Sequence, residues 1–459
     1  MTESRPTADA QPPLVTAALG LQHVLAMLAG AIALPLLVGR ALELPPAQIA
    51  LLINAGLLVC GLATMLQSLG ATPLLGARTP ARIGLAFAAL GPLLAIAAQP
   101  AFGDAAGRLQ VMLGATIAAG VVGVLMAPLA GRLRPLCPAV VRGTVLLMIG
   151  IVLLRAGAGW IAAPAGRGEL DIGGPARLGM ALAVLVAIVL LARSADTRLG
   201  RLAALIAIVA GSIAAWTAGA MSLGVVDAAP WLGLIRPFEF GMPRFEPVPV
   251  IVMSIVMIVV AMETEALLRD SIGVSAAGDA DARIASGIRA EGVGTLIAGV
   301  LNTFPNSTWE AEADRAGARG DGARGAAAFA GAILIVLGLS PKLGALVTAV
   351  PQFVLGGASL AIFGLVAAKG VSTLVHVDYR ANRFNLYVVA IALGVGLVPL
   401  VAPQFFKVVL AAYPMLSPLL QSSIALTAIA AVLLNLFFNG YAVRRKTTDA
   451  DIEAGALST

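Results

Sequence analysis

The sequence predicts an all-α polytopic membrane protein of about 14 transmembrane segments. Of its 459 residues, 59% are hydrophobic and only 12% charged, with a mean hydropathy of +0.96. That is too little charge to coat a soluble chain of this length. The apolar residues come in runs of about 20, which as helices cross about 30 Å of hydrocarbon. A membrane barrel would show alternating segments of about ten residues instead, and in lipid the helix satisfies its own backbone.

In chain order the segments are 15–39, 48–69, 81–99, 109–131, 135–158, 176–195, 200–222, 248–268, 286–301, 303–320, 322–340, 342–370, 384–402 and 417–438. The first follows a polar stretch, Met1–Leu14, that carries no secretory cleavage pattern. It is too long for a signal-peptide core and is expected to be retained. An even number of segments puts both termini on one side. Most of the 30 Lys and Arg then fall at that side, among them Arg132, Arg134 and Arg142, Arg193, Arg198 and Arg201, and Arg444, Arg445 and Lys446. Positive loops face the cytoplasm, so both termini are expected there, in a cell (inner) membrane. The net charge of +6 reflects this orientation and does not call for nucleic acid as a partner. Cys60 and Cys137 stand at or beside apolar runs and read as small hydrophobes rather than as a disulfide or metal pair.

Two stretches break the rhythm: Ala77–Pro92 (ARTPARIGLAFAALGP) and Asn302–Gly325 (NTFPNSTWEAEADRAGARGDGARG). Each joins a proline, a short extended run and a helical run. Paired broken segments in corresponding positions of two halves point to a transporter's binding site. The spacing Ser307-x-x-Glu310 fits a capping box and predicts a helix starting at Ser307. The positive end of such a helix would attract a carbonyl oxygen or an anion.

An ionisable group inside a span is expensive and is a functional candidate by default. Glu263 and Glu265 lie in VVAMETEALL. A carboxylate at 263 can accept hydrogen bonds from substrate N–H groups and exchange a proton, which suits proton-coupled uptake. Glu265, close to Arg269 and Asp270, reads instead as the end of the helix. His23, after Gln22 in LGLQHVLAMLAG, is either a proton-coupling or a structural histidine. No P-loop, zinc-protease motif, nucleophile elbow or Cys/His cluster is present, so an enzyme, a metal site and a cofactor are not expected.

The same places carry a resemblance to the nucleobase–ascorbate transporter family, the uracil and xanthine permeases. LGLQHVLAMLAGAIALPLLVG (Leu19–Gly39) resembles its first helix, RPLCPAVVRGTVLLMIG (Arg134–Gly150) its fifth, GIRAEGVGTLIAGVLNTFPNST (Gly287–Thr308) its ninth and the turn into the tenth, and VPQFVLGGASLAIFG (Val350–Gly364) its twelfth. The resemblance implies two inverted repeats of seven segments, with a short strand and a half-helix in segments 3 and 10. It divides the chain into cytoplasmic tails (1–14 and 439–459), a core domain (15–131 and 248–340) and a gate domain (135–222 and 342–438). It further implies an elevator-type secondary transporter, usually a homodimer in the bilayer, importing a nucleobase-like ring compound with protons, Na+ being the other possible coupling ion. Carried over by position, Glu263 is the substrate glutamate, Phe87 the aromatic that stacks on the base with Ala86 beside it, Gly30 the small residue near the ligand, and Trp309 the aromatic opening segment 10.

Two positions depart from the family pattern. Leu267 stands where the family has Asp or His. Ala311 stands where it has a second binding side chain, with Glu310 and Glu312 on either side. This predicts a cargo other than uracil or xanthine. The alternatives are an anion carrier of the same architecture and a transport-inactive sensor.

Overall fold

Each long apolar run folds as a helix, because in lipid only the helix closes its own hydrogen bonds. The computed structural model describes residues 13–162, 173–193, 200, 202–272, 277–309 and 321–440, with 13, 14, 26, 29, 30, 277–279 and 321 described by backbone alone. The first half comprises α1 (Pro13–Ala41), α2 (Pro46–Met65), strand β1 (Arg82–Leu85), α3 (Leu90–Ala97), α4 (Ala105–Met126), α5 (Ala139–Ala162), α6 (Gly174–Ala192) and α7 (Ala203–Thr217). The second comprises α8 (Pro247–Ile272), α9 (Ala277–Val300), β2 (Asn306–Trp309), α10 (Asp321–Gly338), α11 (Pro341–Ala349), α12 (Gln352–Val375), α13 (Phe384–Val401) and α14 (Ser423–Asn439). Among the described residues seven helices are long and apolar enough to cross a membrane, or nine if two bent pairs each count as one.

The differences from the sequence expectation have local causes. Segment 342–370 is two helices, α11 and α12, because Pro351 offers no N–H to continue the first and leaves Val350 extended (φ −65, ψ 125). Segment 286–301 is the full 24-residue α9, whose charged first half hides it from a hydropathy count. The last segment bends by 68° between Pro414–Leu420 and α14, where Ser422 Oγ caps the new helix by accepting from Ala425 N. No helix starts at Ser307. Residues 306–309 are a strand, which overrides the capping-box spacing.

That strand pairs antiparallel with β1, Arg82 facing Trp309 and Leu85 facing Asn306. A two-stranded pair inside a membrane leaves backbone groups open, and each open group needs a partner. Hydroxyls supply part of it. Thr64 Oγ1 on α2 accepts from Ile83 N (3.0 Å) and donates to Ile83 O (3.2 Å). Thr295 Oγ1 on α9 accepts from Asn306 N (3.0 Å). The two broken segments are thereby joined to the helices on both sides of them.

Small residues let the helices approach, as expected where lipid removes the hydrophobic drive between them. Gly143, Gly150 and Gly157 recur every seven residues along α5 and face α12. A Cβ on Gly150 would stand 2.3 Å from Ala367 N, closer than any atom tolerates. Gly120 and Gly123 of α4 meet Gly292 of α9 in the same way. One set of helices (α1, α2, α4, α8, α9 and α10) surrounds the strand pair, with α11 against α2, and another gathers on the α5–α12 pair.

Candidate functional site

Strand β1 ends at Leu85, and Ala86 N bonds across to Pro305 O (2.7 Å). This holds the chain extended until it turns into the short helical run at Phe87–Ala89. Phe87 therefore projects, half-buried, from the point where the strand becomes a helix. Trp309 arrives at the same place from β2. It lies over Gly84, where a Cβ would meet its ring at 2.6 Å, so only glycine fits there. The indole then stacks on Phe87, with ring centroids 5.8 Å apart and planes at 23°. Phe363 of α12 meets Phe87 edge-on at 5.9 Å. An aromatic surface thus stands between the strand pair and the α5–α12 group, with the buried Ala86 beside it.

Glu263 lies on α8, which packs against both the Phe87 turn and β2, and its side chain is half-buried. Its carboxyl is close enough to act electrostatically on that of Glu291 on α9. Glu291 is completely buried. Thr308 Oγ1 donates to Glu291 Oε2 (3.1 Å), and the buried Thr264 lies against the same carboxyl. The sequence expectation missed Glu291. Its neighbours Arg283 and Arg289 made this stretch read as the end of a short segment. The available signal was the run GVGTLIAGV behind it, which places Glu291 inside a span.

Glu265 is buried and paired with Arg269 (2.7 Å), which also reaches Asp281 on α9 (2.8 Å). This is the structural role expected of it. His23 is half-buried on α1, near enough to Arg82 to feel its charge. Gly30 is described by backbone only, and its surroundings, like Glu310, Ala311 and Glu312, lie outside the described residues. Cys60 and Cys137 are free and buried. A polar crevice of about 870 Å³ opens between the Arg269 end of α8 and the ends of α5, α13 and α14, lined by Arg142, Asn382, Asn385 and Asn435 among others.

Broken crossings joined by a strand pair, with an aromatic stack and two carboxyls gathered beside them, define a multi-pass membrane transporter rather than an enzyme. Comparisons with known proteins make this specific. The family model described as Permease family, that of the xanthine and uracil permeases, matches residues 15–405. The chain is 40% identical to the uric acid transporter UacT of Escherichia coli (strain K12) over 95% of its length and 89% of the relative's. It is 37% identical to the uric acid permease PucJ of Bacillus subtilis (strain 168), covering 92% of each, and 35% identical to a xanthine permease of the same organism, over 94% of this chain and 95% of the relative. The chain belongs to this permease family. The transmembrane domain of the cyanobacterial bicarbonate transporter BicA shares the fold, with a TM-score of 0.57 at 15% identity over 92% of this chain and 97% of that one. The murine anion transporter Slc26a9 does so too, with a TM-score of 0.57 at 13% identity over 94% and 69%.

Proposed function

We propose that this permease imports an oxopurine of the uric acid type together with a proton. The observation that carries the reading is the Phe87–Trp309 stack at the ends of the strand pair, with Glu263 on the helix that packs against both the Phe87 turn and β2 and Glu291 bonded to Thr308 of that strand. A planar ring with several N–H groups fits both features. Aromatic faces hold the ring, and a carboxylate accepts from its edge in charge-assisted hydrogen bonds. Glu263, the more exposed of the two, holds the cargo. Glu291, buried behind it, loads and unloads the proton, as intramembrane carboxyls of pumps and transporters do. An inorganic anion has no ring for the aromatic stack and no N–H groups for a carboxylate to bind, so likeness of fold to anion carriers does not extend to the cargo. Uric acid is favoured over uracil because it is the larger ring and because two of the relatives described above are uric acid carriers.

In this reading both termini are cytoplasmic, and the core (15–131 and 248–340) moves elevator-fashion against the gate (135–222 and 342–438) in a homodimer. The crevice at Arg269 is the inner vestibule. Uptake of radiolabelled uric acid, xanthine and uracil into a host lacking its own purine permeases tests the proposal. The expected result is saturable uric acid uptake abolished by a protonophore. Uptake of bicarbonate or sulfate with none of a purine would overturn it.

A further inference from the structure

Behind Glu291, polar side chains form a stripe that the transport reading leaves unused. Gln67 lies within the single π-turn, Leu66–Gly70, that follows α2. Its side chain is completely buried, and neither Oε1 nor Nε2 has a protein partner. It occupies space that exists because residue 287 is glycine; a Cβ there would stand 2.9 Å from Gln67 Nε2. Four residues further along α9 is Glu291, whose Oε1 is also buried without a protein partner. Three more residues lead to Gly294, where a Cβ would stand 2.8 Å from Asn306 Nδ2. Both amide atoms of Asn306 are buried and unmatched by protein as well.

Positions 287, 291 and 294 lie about a turn apart on one face of α9, so they succeed one another by about 4.5–6 Å along the helix. At the near end, Ser286 Oγ contacts Gly76 O (2.9 Å) and Arg283 Nε donates to Ala77 O (3.1 Å). The buried Thr79 hydroxyl in the same loop also lacks a protein partner. In the proposed orientation this loop faces the cytoplasm. The ionisable groups beside the stripe include Glu263 on α8, next to Glu291, and at the loop Arg283, Arg289 and Arg78, whose backbone N–H donates to Gln67 O (3.0 Å).

Buried polar atoms in folded proteins that find no protein partner are met by internal water. A side-chain amide both donates and accepts, so it can join such waters in a chain. We propose that Gln67 and its neighbours hold a file of internal water along α9, through which Glu291 exchanges its proton with the cytoplasm. The inference rests on the reading of Glu291 as the proton carrier. When the cargo has left, the Glu291 O–H bond breaks and the proton passes to the first water. Each water hands one proton on, and the carboxylate remains. Gln67 is a positioning residue here, since it touches water and not cargo.

The test is Gln67→Leu in proteoliposomes, with Gln67→Met as a second apolar variant should the first fold poorly. Two transport modes are read with labelled uric acid: net uptake driven by a proton gradient, and exchange of labelled for unlabelled uric acid at equal pH. Exchange needs no proton to leave, so it is expected within about twofold of wild type. Net uptake is expected to fall by about tenfold or more, and Gln67→Glu to restore it. Wild-type net uptake in both apolar variants, or equal loss of both modes in well-folded protein, overturns the proposal. Wild-type protein that carries uric acid without moving protons overturns the proton reading itself, before any variant is made.

Discussion

Glutamine in place of Glu291 separates a proton carrier from a merely buried acid. The change keeps size and shape, and the amide oxygen can still accept from Thr308 Oγ1, now at 3.1 Å from the carboxylate. Stability should therefore change by less than about 1.5 kcal/mol. What disappears is the exchangeable proton. In the proposed cycle Glu263 holds the cargo and Arg269 already neutralises the buried Glu265, so Glu291 carries one proton per cycle. One proton crossing about one pH unit and about 100 mV releases about 1.4 and about 2.3 kcal/mol. For cargo carried as the neutral ring these together sustain a gradient of about 500-fold. Glu291→Gln should reduce accumulation in energised vesicles to about the external concentration while exchange at equal pH continues. A variant that still concentrates uric acid as the wild type does would refute the assignment of Glu291.

Other substitutions probe the remaining parts. Glu263→Gln should raise KM for uric acid by roughly 10- to 150-fold, the worth of a charge-assisted hydrogen bond of about 1.5–3 kcal/mol, with normal thermal stability. Phe87→Ala should weaken binding by at least about 0.5–1.5 kcal/mol, the stacking share alone, seen as a smaller ligand-induced rise in melting temperature. Arg269→Gln leaves buried Glu265 without its cation and should cost about 3–5 kcal/mol, detected as a lower melting temperature that the double variant with Glu265→Gln partly restores. Gly150→Ala, whose Cβ would meet Ala367 N at 2.3 Å, should push α5 and α12 apart and cost about 1–3 kcal/mol.

The sequence by itself determined that this chain spans a membrane as helices, and it located the two broken crossings, because hydropathy and proline act locally. It also singled out Glu263, as an ionisable group inside a span, and Phe87 and Trp309, by resemblance, as candidates. It misread residues 306–309, since a capping-box spacing says nothing about the partner strand at 82–85 that draws the same residues into a sheet. It passed over Glu291 and Gln67 for a related reason. A charge beside Arg289 looks like a helix end until α9 is seen to run through it, with the carboxyl turned inward against Thr308. Gln67 looks like any polar residue near a loop until Gly287, far along the chain, is seen to make room for it. Local pattern sets which segments form. Which polar groups end up sealed together depends on contacts between residues hundreds of positions apart, and only the tertiary structure decides those.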